Sequence, residues 1–163
     1  MAALDPTFLN PFLNGTLEAL RVTCNLEVKS GQPFMKGKHP QPEFHLAAIL
    51  GITSSSFCGS ITLLFPNEVY KHVVSGWLGE EITELTKDHQ DGVAELLNII
   101  YGSAKVVWNE QGRQIQKAIP SVLHGSKIAT VIKAPVLVIP FLTNYGEFHV
   151  EICAEAQSAQ LAA

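Results

Sequence analysis

The 163 residues are 47% hydrophobic and 16% charged, the balance of a folded chain with a substantial core and not of a disordered segment. A formal net charge of −4 excludes a broad nucleic-acid footprint, which demands a basic surface. No run of about 18 apolar residues is present, and residues 1–9, with Asp5 and Pro6, lack the basic-then-apolar order of a secretory signal, so the chain is expected in the cytoplasm.

A first helix is expected to open at Asn10, a good N-cap, with Pro11 in the first helical position and an apolar stripe of Phe12, Leu13, Leu17, Leu20 and Cys24. Residues 26–43, rich in Gly and Pro, read as a short strand and irregular loop, with Lys29, Lys36 and Lys38 as a solvated basic cluster. Residues 44–54 and 58–65 suit two strands around a turn at Ser54-Ser55-Ser56. Asn67 can cap a second helix that buries Val69, Tyr70, Val73, Val74 and Trp77 and ends at Gly79.

After a link at 80–87, a long third helix is expected from a cap at Asp88 to about Asn109, closed by Gly112. At 3.6 residues per turn, Asp91, Glu95, Asn98, Gly102, Lys105 and Asn109 fall within an arc of about 80°. Val93, Leu96, Leu97, Ile100, Ala104, Val107 and Trp108 fill an opposite arc of about 120°. One face is therefore dry and the other carries a polar stripe. Glu95 and Asn98, at i and i+3, project side by side. Gly102 costs a helix interior roughly 1 kcal/mol relative to alanine, and marks either a close approach of another group or a tolerated helix glycine. Trp108 requires a partner for its indole N–H.

Beyond that helix, residues 113–119 and 127–133 are expected as strands around a loop at 120–125. Residues 136–142 and 147–153 flank Thr143-Asn144-Tyr145-Gly146 as a hairpin. The pattern is that of an α+β chain, helices packed on a sheet of about six strands. Cys24, Cys58 and Cys153 are scattered and odd in number, which favours small buried hydrophobes in a reducing compartment over disulfides or a zinc site. The six histidines show no metal-ligand spacing, and no metal is expected.

The spacing Asp91-x-x-x-Glu95-x-x-Asn98-x-x-x-Gly102 resembles the active helix of the CheX/CheC chemotaxis phosphatases. The resemblance extends to Asn10-Pro11-Phe12, to Trp77-Leu78-Gly79 before the Glu-rich link, and to Pro120-Ser121-Val122 after the long helix. It implies a single CheX-like domain over 1–163 with flexible ends at 1–9 and 156–163, long helices on a mainly antiparallel sheet, and Glu95 and Asn98 as the functional pair. It also implies a homodimer joined through sheet edges, for which the apolar run Val136-Leu137-Val138-Ile139 or its hairpin partner at 148–151 offers a strand; the alternative is that this hairpin lies mid-sheet and already paired.

The chemistry so implied is hydrolysis of an aspartyl phosphate on a CheY-like receiver domain, which itself supplies the phospho-aspartate, Mg²⁺ and a lysine. An amide offers both an acceptor and a donor, so Asn98 can hold the attacking water without taking its proton. Glu95 facing the receiver's lysine is a role carried over from the family. Asp91 is either a first-turn residue favoured by the helix dipole or a partner contact, and Ile99 is either core edge or a partner contact. No cofactor, nucleic acid or membrane is called for.

The first helix repeats the spacing as Asn14-x-x-x-Glu18-x-x-Arg21-x-x-x-Asn25, but with a donor-only guanidinium where the amide should be, so one working site is expected per chain. Two other readings stand beside the phosphatase. One is a non-catalytic module of the same fold that binds a response regulator or flagellar switch; the other is a small-ligand domain using a cleft between helices and sheet.

Overall fold

A computed structural model describes residues 5–55 and 57–156. The first helix, α1, spans Pro6–Val22 and so begins earlier than expected. Asp5 and Pro6 form the same cap-then-proline signal as Asn10 and Pro11, and the earlier pair is the one used. The Asp5 carboxylate accepts from the Phe8 N–H at 2.9 Å and is paired with Arg113 at 3.2 Å. Pro11, buried, lies inside the helix beyond its first turn, where its missing N–H removes one bond of the ladder. Residues 6–9 are thus helical where a flexible end was expected; residues 1–4 and 157–163 lie outside the described residues.

Seven strands make one sheet: β1 (Lys29–Ser30), β2 (Phe34–Met35), β3 (Phe44–Thr53), β4 (Phe57–Phe65), β5 (Ser121–Ile128), β6 (Leu137–Thr143) and β7 (Gly146–Ala156). Their order is β1-β6-β7-β4-β3-β5, with β2 also on β6, and every pairing is antiparallel. The β3–β4 turn lies where the serine run placed it, although Ser56 is outside the described residues. The β6–β7 hairpin closes on Thr143 and Gly146, whose φ of 126° needs a glycine.

Two strand expectations fail. Residues 113–119 form no strand, and β5 runs through 121–125 of the expected loop and ends at Ile128, so residues 129–133 of the expected strand 127–133 are not strand either. β5 is an edge strand with its side chains mostly exposed, so its sequence shows no alternation. Its ladder to β3 is what holds it. The other correction concerns β6, whose outer side is covered by β1 and β2. Neither member of the hairpin is the free edge proposed for a second chain.

Two further helices, α2 (Asn67–Leu78) and α3 (Lys87–Glu110), share one face of the sheet with α1. Period-two alternation sends Leu46, Ala48, Leu50 and Ile52 of β3 and Phe148, Val150 and Ile152 of β7 into the core beneath these helices. Pro66, not Asn67, is the α2 N-cap, and the Asn67 N–H donates to His45 Nδ1 at 3.3 Å. Gly79 ends α2 at φ 72°, as the sequence required. Among the described residues, no helix is long and apolar enough to cross a membrane.

Part of the opposite face of the sheet is also buried, near β2 and the end of β5, while Gly51, Thr53, Cys58 and Glu155 on it are exposed. Phe44, Ala47 and Leu64 pack there with Ile128. Glu151 is 1% exposed and meets Lys36 Nζ at 2.7 Å, while Thr130 bonds both. Lys36 is therefore a buried carboxylate's counter-ion, not part of a solvated cluster. Burial holds His149 below the ordinary histidine range, and the Glu147 carboxylate opposes this only in part. Cys24 and Cys153 are buried, and burial pushes the Cys24 thiol up to about 12. Cys58 is exposed, contrary to expectation.

Candidate functional site

The site is built on α3, and the first question is what fixes that helix. Thr86 caps it, two residues before the expected Asp88: the His89 N–H donates to Thr86 Oγ1, and the Thr86 N–H to His89 Nδ1, both at 3.2 Å. The Tyr70 hydroxyl donates to the His89 carbonyl at 2.8 Å, tying α2 to the first turn of α3. Burial raises the pKa of that phenol, with Cys24 and Asp91 adding to the shift, so it stays a neutral donor. At the other end, the Tyr101 hydroxyl donates to the Gln116 carbonyl at 2.6 Å.

Trp108 locks α3 to α1. Its ring is fully buried, stacks on Phe8 at 4.7 Å, and its indole N–H donates to the Phe8 carbonyl at 2.8 Å. Gly15 lets the helices meet: a Cβ there would lie 3.2 Å from the Ile100 carbonyl oxygen. Val93, Leu96, Leu97, Ile100, Tyr101 and Ala104 complete the dry face. Val107, placed on that face by its angle, is 38% exposed and lines an open groove together with α1 residues such as Pro11 and Asn14.

On the other side Asp91, Glu95, Asn98 and Gly102 are all exposed along one line, as the periodicity requires. No side-chain hydrogen bond or ion pair engages Glu95 or Asn98 among the described residues. An uncommitted carboxylate and an uncommitted amide thus stand one turn apart on a helix whose far face is packed into the core. Ile99 is half-buried and packs against the core, as its border position allowed. Asn109 does not serve the stripe; its side-chain carbonyl accepts from the Ile115 N–H at 2.7 Å and shapes the exit from the helix.

Gly102 meets nothing within 4 Å, so the close approach that it could have marked is absent. The helical glycines with close neighbours are Gly15, Gly76 and Gly92: a Cβ on Gly76 would run into the Cys24 carbonyl oxygen, and one on Gly92 would lie 3.2 Å from Tyr70 Oη. Sequence reading also missed a recess of about 260 Å³ beside Glu95, lined by Val74, Trp77, Leu78, Asp88, Gly92 and Glu95 among others. Trp77, expected on the buried face of α2, is half-buried: it packs against the core and also walls this recess. The available signal was Leu78, a further apolar residue after Trp77 in the last turn of α2, which is 53% exposed.

The repeat on α1 is differently disposed. Arg21 donates to both carboxylate oxygens of Glu18, at 2.8 and 2.9 Å, and both side chains are exposed. Among the described residues, no group of three or more His, Cys, Asp and Glu is placed to hold a metal ion.

Comparison with known proteins gives consistent results. The family described as chemotaxis phosphatase CheX matches residues 46–142, which include all of α3. A CheX chemotaxis protein from Desulfovibrio desulfuricans is 37% identical, with 91% of this chain and 99% of that one covered and a TM-score of 0.78. CheX from Vibrio vulnificus is 26% identical over 91% and 99% of the two chains, with a TM-score of 0.83. The fold is also that of CheX from Borrelia burgdorferi in its complex with CheY, BeF3 and Mg²⁺, at 22% identity, 91% and 97% coverage and a TM-score of 0.75. No curated protein sequence matches the chain.

Proposed function

The chain belongs to the chemotaxis phosphatase CheX family, and from that premise we propose that it is a phosphatase of two-component signalling, hydrolysing the aspartyl phosphate of a CheY-like receiver domain. The single observation that supports this reading best is the exposed, unengaged pair Glu95 and Asn98 on an otherwise immobilised helix. That the Borrelia relative was captured with CheY makes a receiver the natural partner.

In this reading α3 approaches the phosphorylated pocket with its polar stripe leading. Asn98 accepts a hydrogen bond from the attacking water through its amide oxygen and sets the water in line with phosphorus. The water oxygen forms a bond to phosphorus as the bond to the aspartyl oxygen breaks. The aspartate leaves as a carboxylate and the water's protons end on inorganic phosphate or solvent. An amide is too weak a base to take a proton, so Asn98 contributes position, the usual protein contribution to phosphoryl transfer. Glu95 meets the receiver's lysine and fixes the helix in register, with Asp91 as a further contact. Mg²⁺ is supplied on the receiver, and this chain adds no cofactor.

The rival reading, a regulator-binding module without hydrolysis, has no use for an amide held free at Asn98. The lifetime of the phosphoryl group on a CheY-like receiver, with and without this protein, decides between them. A shortened lifetime is expected; an unchanged lifetime with intact binding would favour the module.

The setting proposed is the cytoplasm, and the assembly a homodimer. Since β6 is covered, the edge offered to a second chain is β5, Ser121–Ile128, whose outer side pairs with no strand among the described residues. Leu123 on it is 49% exposed, with Ile119 and Val131 nearby in sequence at 84% and 93%. Antiparallel pairing of two β5 strands satisfies their free backbone groups about a two-fold axis. Light scattering is expected to give twice the chain mass at micromolar concentration, and a monomer there would remove the dimer.

A further inference from the structure

Hydrolysis uses Glu95 and Asn98 but makes no use of the recess on the near side of Glu95. Its walls are Val74, Trp77 and Leu78 from the end of α2 and Gly92 from α3, so its surface is almost wholly apolar. The one hydroxyl in it, that of Tyr70, is already committed to the His89 carbonyl. Leu78, the last residue of α2, is 53% exposed. Gly92 keeps the floor open, since any side chain there would grow from a Cβ already 3.2 Å from Tyr70 Oη. Asp88 and Glu95 of α3 stand beside this floor.

We propose that this recess is a specificity pocket of the same docking surface, receiving an apolar side chain of the receiver domain next to the basic residue that Glu95 engages. The inference rests on the phosphatase reading and extends it. Glu95 is a wall of the recess as well as a member of the functional pair, so a partner close enough to meet Glu95 and Asn98 covers Trp77 and Leu78 too. An apolar floor ringed by charges that face a basic partner is the anatomy of an energetic centre in a protein interface: the floor excludes water and supplies affinity, and the rim supplies orientation. A volume of about 260 Å³ fits one side chain, not a cofactor.

The test is the concentration dependence of dephosphorylation of one CheY-like receiver by wild type, Leu78→Asp, Leu78→Lys and Asn98→Ala. Leu78 is exposed, so these changes leave the fold intact, as circular dichroism will check. Both Leu78 variants are expected to raise KM roughly tenfold, whichever charge they introduce, with kcat within about twofold of wild type. Wild-type KM in both, while Asn98→Ala is inactive, would overturn the pocket and leave the phosphatase standing. A rise for Leu78→Lys alone would replace the apolar occupant by the stem of a cationic one, and so overturn the proposal as well. No acceleration by wild type would overturn both readings. A direct signal comes from Trp77: Trp108 is fully buried, so iodide quenching of this protein's two tryptophans reports on Trp77. A tryptophan-free receiver in its beryllium fluoride form is expected to protect it, and unchanged quenching in the formed complex would contradict the pocket.

Discussion

On α1, Glu18 is gripped by Arg21 three residues on, both carboxylate oxygens taken by one guanidinium in open solvent. On α3, Glu95 has Asn98 three residues on, and neither side chain is engaged. The two helices pack side by side, share Trp108 as a lock, and place their carboxylates at the same point of the same spacing. Exposure therefore does not distinguish them; commitment does. An arginine at i+3 turns a carboxylate inward on its own helix and offers water only donors, whereas an amide leaves the carboxylate available and adds an acceptor. One residue type at one position separates a solvated ion pair from a reactive face.

The comparison can be broken most sharply at Glu95. Glu95→Lys sets like charges against the receiver's lysine and is expected to weaken the complex at least about tenfold, while Glu95→Ala, which loses only the attraction, weakens it roughly severalfold. Binding titrations that give equal losses for the two changes would place Glu95 in solvent, on a par with Glu18. The smallest effect is expected on α1. Arg21→Ala removes an exposed pair of the kind that contributes little, so melting point and receiver dephosphorylation should both match wild type. A loss of activity in that variant would make α1 part of the site and dissolve the distinction.

Much of this was legible because α3 has a long period with a clean division of faces. A drift of about 20° per heptad is irrelevant when Val93, Leu97, Ile100, Ala104 and Trp108 all fall on one side. The β6–β7 hairpin was legible from its turn chemistry at Asn144 and Gly146. What failed did so for identifiable reasons. β5 is exposed on most of its side chains, so burial wrote no pattern into Leu123-His124-Gly125 and only backbone pairing to β3 reveals it. The start of α1 was ambiguous because two cap-and-proline signals stand five residues apart. The availability of the β6 edge depended on β1 and β2, two-residue strands too short to leave a signature. The recess beside Glu95 belongs to tertiary structure altogether, since it forms where the end of α2 meets the start of α3.

The central claim is that Asn98 positions the water that ends the receiver's phosphorylated state. Its direct measurement is the decay rate of a phosphorylated CheY-like receiver in the presence of saturating Asn98→Ala protein, with binding and melting point recorded on the same sample. Because the side chain is exposed and unengaged, stability and complex formation are expected to stay near wild type. The decay rate should fall to that of the receiver alone, a loss of roughly a hundredfold or more in the accelerated rate. Wild-type acceleration by the Asn98→Ala protein would contradict the account.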